Sequence, residues 1–173
     1  MSGDEPEFWL RGPVEGVSWF LMPASHALLQ SRADLREAAG ELSPAEIWQR
    51  PGGAAAIGFH LRHIAGTLDR LFTYAGGQSL APGQLTVMRE EGSPGSPPAT
   101  ADELLGSVDE AIEAALRGLR EMPEADLLTP RVVGRRRLPS SVLGLLFHAA
   151  EHTQRHTGQV ITTSKIIRGL GLP

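Results

Sequence analysis

Three histidines recur at every fourth position near the carboxyl end of the chain, in the segment His148-Ala-Ala-Glu-His152-Thr-Gln-Arg-His156-Thr-Gly-Gln159. Positions four apart advance by about 40° around an α-helix, so this spacing aligns the three imidazoles along one slowly winding stripe. Two imidazoles one turn apart on the same face can bind a single metal ion. The spacing therefore predicts a helix that carries a potential metal-binding pair.

The rest of the chain is also predicted to be helical. Apolar residues follow the helical period, two capping boxes mark helix starts at Ser43 and Thr100, and no convincing strand or internal repeat is present. This pattern predicts an all-α protein, specifically a four-helix bundle with a long proline- and glycine-rich connection, residues 77–99, between helices 2 and 3. The four helices are predicted over residues 13–40, 54–75, 100–123 and 139–168, with a short helix after Ser43 and an irregular stretch at 124–138 where a small hairpin is possible. Within the first range, Pro23 either kinks the helix or lies in the first turn of a second helical segment.

Length, charge and composition narrow the class of protein. The 173 residues fit a single domain, 1–173, with a loose N-terminal segment at residues 1–12. The net charge of −4 argues against nucleic acid or an anionic membrane as the main partner. No apolar run is long enough to span a membrane, and the acidic start does not resemble a secretion signal. The chain has no cysteine, which excludes disulfides and thiolate ligands. A cytoplasmic protein is expected.

Two more histidines, His60 and His63, lie in the helix predicted over residues 54–75. If that helix neighbours the last one, either could meet His152 and His156, and spacing alone does not choose between them. His148 lies about 12 Å along the axis from His156, which is too far to share an ion. His26 stands alone and is predicted to be a hydrogen-bonded imidazole without a metal role.

Other metal sites fit the sequence less well. A ferritin-like di-iron site needs Glu-x-x-His pairs, and a zinc protease needs His-Glu-x-x-His, but neither motif occurs in the chain. What remains is a mononuclear three-histidine site with open positions, which is typical of catalytic metals.

The segment around His152 and His156 resembles the last-helix signature of the DinB/YfiT-like superfamily, His-x-x-x-His-x-Gly-Gln followed by an apolar residue. Gly58-Phe-His-Leu-Arg-His63-Ile-Ala is similar to the family's second-helix motif. The resemblance implies that His63, His152 and His156 are the ligands of a divalent ion such as zinc, nickel or iron. The family often has His-His where this chain has Arg155-His156.

The resemblance also implies a function and an assembly. Members are four-helix bundles, often homodimers, and the better understood ones are transferases, isomerases or hydrolases that use low-molecular-weight thiols. A thiol-dependent transferase or hydrolase acting on a small molecule is therefore expected. The alternatives are a metal-binding or stress-related helical dimer without catalysis, and a structural dimer whose histidines are hydrogen-bonded in the core.

Further residues are predicted to surround the ion. The side chain of Glu151 projects about 100° around the helix from that of His152, so Glu151 is not favoured as a general base. Arginines 131, 135, 136 and 137 crowd one loop, which suits a solvated surface or, alternatively, an anion-binding rim for the substrate. Residues predicted to line the pocket or to hydrogen-bond the ligands are His60, Thr67, His148 and Gln159.

Overall fold

The computed structural model describes residues 5–170, and the protein is mostly helical over that range. In chain order the elements are α1 (Met22–Ala39), α2 (Pro44–Ile47), α3 (Ile57–Ala75), α4 (Pro82–Glu90), α5 (Ala101–Glu121), β1 (Pro130–Val133), β2 (Leu138–Ser141) and α6 (Val142–Leu170). Among the described residues no helix is both long enough and apolar enough to cross a membrane.

The four long helices enclose one apolar core. Helices α1 and α3 each contact both α5 and α6. Gln154 donates to the carbonyl of Ala27 and Ser164 to that of Ala38, so α6 runs parallel to α1. Buried side chains from all four helices fill the space between them, including Leu28, Leu35, Leu61, Ile64, Leu68, Ile112, Leu116, Leu146 and Val160.

Both predicted capping boxes are confirmed. The Ser43 side chain accepts from the backbone N–H of Glu46, whose carboxylate accepts from the backbone N–H of Ser43. Thr100 and Glu103 form the same reciprocal pair at the start of α5. Each box satisfies N–H groups that a helix start otherwise leaves without partners, which fixes where these helices begin.

Of the two predicted roles of Pro23, the structure has the second: Pro23 opens a helix of its own, α1, which begins at Met22 and does not include the segment from residue 13. Residues before α1 form turns, with Gly12 at φ 89° and Gly16 at φ 77°, and such backbone cannot continue a right-handed helix. Pro23 lies in the first turn of α1, where its missing N–H costs nothing. Residues 1–4 of the segment predicted to be loose lie outside the described range. Within the rest of that segment, Phe8 donates its backbone N–H to the Gln30 side chain, which attaches the segment to α1.

The connection predicted over residues 77–99 contains a helix, α4, that the sequence patterns did not indicate. Pro82 occupies its first turn, and the Gln84 side chain accepts from the backbone of Ala81 while donating to Thr73 of α3. None of the α4 residues is buried. Because this helix is stabilised by its ends rather than by a buried apolar face, it lacks the periodic pattern that predicts helices.

The irregular stretch before α6, where a small hairpin was one possibility, forms an antiparallel hairpin. The two strands correct the prediction that the chain is all-α. Val133 pairs with Leu138 next to the turn, and Gly134 enters that turn at φ 67°. The strand β2 takes up the residues predicted to open the last helix, so α6 starts at Val142.

Candidate metal centre

Three histidines from two helices converge between α3 and α6. His63 Nε2 lies 2.9 Å from His152 Nε2, and one ring nitrogen from each of His63, His152 and His156 lies within 4.8 Å of the other two. A tetrahedral zinc ion bound at about 2.1 Å holds its ligand nitrogens roughly 3.4 Å apart, so small ring movements would suffice to admit an ion. The cluster is compatible with metal binding.

The antiparallel pairing of α3 and α6 produces this convergence. His60 contacts His156, and His63 contacts His152, so positions that advance along α3 meet positions that recede along α6. The spacing of three residues on α3 and four on α6 places each pair on the facing stripes of the two helices. The structure thus brings both candidate α3 histidines to the α6 pair, but only His63 belongs to the three-nitrogen cluster.

His63 has a second partner, Glu91, which the sequence patterns did not indicate. The Oε2 of Glu91 lies 2.7 Å from His63 Nδ1. An ionised carboxylate can only accept hydrogen bonds, so His63 Nδ1 must carry the proton. In the neutral ring this leaves the lone pair on Nε2, the atom that faces the other histidines. Carboxylates commonly play this part for metal-binding histidines.

Glu91 is itself anchored by a buried cation. Arg70 Nη1 lies 2.7 Å from Glu91 Oε1, and the side chains of Arg70 and Glu91 are only 10% and 4% exposed. A second guanidinium nitrogen donates to the hydroxyl of Thr67, which lies 3.4 Å from His63 Nε2. Thr67, predicted to line the site, therefore lies between the ion pair and the cluster.

His60 lies beside the cluster, against His156. The two Nδ1 atoms are 2.8 Å apart, and His60 is buried. The ring of Phe59 stacks on that of His63 at a centroid distance of 5.3 Å. At His152, by contrast, the buried Nδ1 has no hydrogen-bond partner among the described residues.

Burial keeps His152 and His156 neutral. It lowers the pKa of both residues to about 4, and electrostatic repulsion from His63 adds to the effect. Burial and the charge of His63 also lower the pKa of His60. Burial alone would raise the pKa of Glu91, but hydrogen bonds from His63 and Arg70 reverse the shift and hold that pKa below its ordinary value. At neutral pH His152 and His156 are therefore uncharged imidazoles, the form that binds metals.

Residues 27–160 match the DinB superfamily, and this range covers well over half of the chain and all three clustered histidines. This chain belongs to the DinB superfamily. The fold is also similar to a crystal structure of a conserved protein from Enterococcus faecalis, with a TM-score of 0.66 and 17% sequence identity over 86% of this chain and 97% of the other. At that identity the likeness concerns the fold alone. No curated protein matches the chain.

The other residues predicted for the site lie at its edge or away from it. His148 is exposed, and its Nδ1 is 2.8 Å from Glu151. Arg155, the residue at the position where the family often has histidine, makes two 2.7 Å bonds to the same carboxylate. Gln159 is exposed on α6. His26 lies elsewhere and bonds the carbonyl of Gly12, as a hydrogen-bonded imidazole was expected to do.

The arginine-rich stretch is the hairpin, with Arg131 in β1 and Arg135, Arg136 and Arg137 in the turn, and it is remote from the cluster. Val142, which follows the hairpin, precedes His152 by ten residues, or about 15 Å of helix. Arg131 is tied to the carbonyl of Ala75 at the end of α3, and Arg135 and Arg136 are exposed. This placement favours a solvated surface over a rim for a substrate bound at the histidines.

Glu91 gave no usable signal in the sequence. It follows another glutamate in a proline- and glycine-rich stretch, and Glu90 beside it is exposed. Arg70 lies about one helical turn beyond Thr67 and two turns beyond His63 on the polar stripe of α3. A basic residue on such an inward stripe indicates a buried acidic partner, but it does not say which loop supplies that partner.

Proposed function

We propose that this DinB protein binds one divalent metal ion through His63, His152 and His156. The observation that carries the proposal is the convergence of three imidazole nitrogens within 4.8 Å of one another. The three imidazoles are partly buried, and Nε2 of His63 and Nε2 of His152 lie 2.9 Å apart, close enough for one ion to bind both after small ring movements. An ion uses the lone pairs that these rings direct at one another.

The surrounding residues suit this role. The bond from His63 to Glu91 leaves Nε2 as the free nitrogen of His63. If His156 donates through Nδ1 to His60, its own Nε2 is likewise free. His60 would then hold its proton on Nε2 and accept through Nδ1. Each of these contacts selects the ring nitrogen that would face the ion, which matches how hydrogen-bonded neighbours orient metal-binding histidines.

Imidazole donors favour ions such as zinc, nickel or iron over magnesium or calcium, which prefer oxygen. Three protein ligands leave further coordination positions open, as in catalytic sites. A divalent ion in such a site lowers the pKa of a water or thiol that reaches it. Because the chain has no cysteine, any sulfur nucleophile must come with the substrate.

We infer that the reaction is a hydrolysis or a thiol-dependent transfer on a small molecule. The His63 side chain is still 22% exposed, so a small ligand can reach the cluster, whereas a storage site would be closed. We further propose that the four long helices form a four-helix bundle, that the chain is one domain, and that it works as a homodimer. Light scattering after size-exclusion chromatography tests the homodimer.

The experiment for metal binding is a melting curve of metal-free protein with and without zinc, nickel or iron(II). An ion bound only by the folded state stabilises it by about 2.7 kcal/mol at a free concentration 100 times the Kd. The melting temperature should rise in the wild type and in His26→Ala, and it should not move in His152→Ala/His156→Ala. No rise with any of the three ions would contradict the proposal.

Metal-loaded protein is then assayed for thiol-dependent turnover, and stoichiometric metal without turnover would favour the non-catalytic alternative.

A further inference from the structure

We propose that Glu91 is a positioning residue of the metal centre: anchored by Arg70, its carboxylate holds His63 in the tautomer whose Nε2 can bind the ion. The inference rests on the proposed metal site and adds residues from outside the two histidine-bearing motifs. It assigns a function to the connection between α3 and α5, which otherwise only links two helices.

The contacts of Glu91 leave its carboxylate no freedom to act otherwise. Glu91 is 3% exposed, and its two oxygens are each engaged at 2.7 Å, one by Arg70 and one by His63. Both bonds involve the charged carboxylate of an almost fully buried side chain, and charge-assisted bonds of this kind are short and strong. The carboxylate is therefore fixed on the far side of the His63 ring from the other histidines.

The backbone around Glu91 is held as well. The guanidinium of Arg62 donates to the carbonyls of Glu90, Ser93 and Pro94, on both sides of Glu91. The same group lies over the Trp48 ring at 5.0 Å. Consecutive α3 residues, Arg62 and His63, thus bind the connection through its backbone and through its carboxylate. This double attachment fixes the connection against α3.

Gly66 provides the space for the ion pair. A Cβ at this position would lie 2.7 Å from both Arg70 Nη1 and Glu91 Oε1. Any larger residue would push the paired groups apart, and both are enclosed. Three residues of α3 therefore act together: Gly66 leaves space for the ion pair, Arg70 supplies its cation, and His63 contacts the Glu91 carboxylate.

The competing explanation is that the pair only fastens the connection to α3. The isosteric variant Glu91→Gln distinguishes this structural role from the positioning of the His63 tautomer. The amide carbonyl of the new side chain would turn toward the Arg70 guanidinium, which can only donate, and the amide NH₂ would then face His63 Nδ1. That arrangement moves the His63 proton to Nε2 and removes the lone pair from the metal side. A purely structural role predicts lower stability without a tautomer change.

The test uses the full chain and two readouts. The first is the ¹⁵N–¹H NMR spectrum of histidine-labelled, metal-free protein, in which the His63 signal is identified by its loss in His63→Gln. The wild type and Glu90→Gln, which changes the neighbouring exposed carboxylate, should show His63 protonated at Nδ1, and Glu91→Gln at Nε2. The second readout is Zn²⁺ affinity by chelator competition, which should fall roughly 10- to 100-fold in Glu91→Gln and stay unchanged in Glu90→Gln.

The outcomes separate this inference from the proposed function. Zinc binding by the wild type with unchanged tautomer and affinity in Glu91→Gln would overturn the inference and leave the metal site standing. Absence of zinc binding by the wild type would remove the proposed function, while the NMR spectrum would still decide the tautomer. If Glu91→Gln fails to fold, Arg70→Met/Glu91→Leu removes both buried charges together, and loss of the Nδ1–H preference of His63 is again the expected result.

Discussion

Arg70 and Glu91 form an ion pair with almost no access to solvent, joined by a 2.7 Å bond from Nη1 to Oε1. The pair connects the helix that carries His63 to a segment 21 residues further along the chain. Because both charges are buried, removing one of them leaves the other buried without a partner. That unpaired charge accounts for most of the expected loss in the free energy of unfolding.

Arg70→Met should lower the free energy of unfolding of the metal-free protein by about 3–5 kcal/mol, because Glu91 stays buried without its cation. Urea unfolding at neutral pH measures the change. The matched control is Arg155→Met, which breaks the Arg155–Glu151 pair, in which the arginine side chain is 59% exposed. That loss should be no more than about 1 kcal/mol. Equal losses in the free energy of unfolding for the two substitutions would show that burial does not increase the contribution of the Arg70–Glu91 pair to stability.

The stability of the metal-free protein should depend on pH through the cluster. His152 and His156 have pKa values of about 4 in the folded state, against an ordinary value of 6.5. Between these values the unfolded chain binds more protons, so the free energy of unfolding should decrease as the pH falls from about 6.5 to about 4. It should change little just above that window. Melting temperatures across this range test the sign, and His152→Ala/His156→Ala should flatten the curve.

Two glycine-to-alanine substitutions should act in opposite directions. A Cβ at Gly58 would lie 2.7 Å from the Trp48 ring, so Gly58→Ala should destabilise the protein by about 1–3 kcal/mol through overpacking. A Cβ at Gly106, within α5, meets nothing within 4 Å. Gly106→Ala should stabilise by about 0.4–1 kcal/mol because it restricts the unfolded chain. Thermal melts of both variants suffice, and a stabilising Gly58→Ala would contradict the tight approach of α3 to Trp48.

Much of the fold could be predicted because local chemistry agrees with it. The starts at Ser43 and Thr100 follow from reciprocal caps, and the apolar period of α3 matches its buried face. Helix α4 escaped prediction because it buries none of its residues and so lacks such a signal. The hairpin was predicted only as a possibility, because its strands are held by pairing between residues that are not adjacent in sequence.

The cluster could be predicted in part, for a similar reason. The i, i+4 spacing on α6 is a local pattern, and it indicates that His152 and His156 share one face, as they do in the cluster. Whether His60 or His63 joined them depended on the rotation and height of α3 against α6, which no local pattern encodes. The position of Glu91 beside His63 depended on the path of the whole connection between α3 and α5, which local patterns do not encode. Its exposed neighbour Glu90 has the same chemistry, so residue type could not distinguish them.

The most direct test of the central claim is the metal content of untagged protein, measured by elemental analysis in the wild type, in His26→Ala and in His152→Ala/His156→Ala. We expect close to one divalent ion per chain in the first two proteins and none in the third. A wild type that holds no metal even after supplementation, or a double variant that retains it, would contradict the proposed metal site.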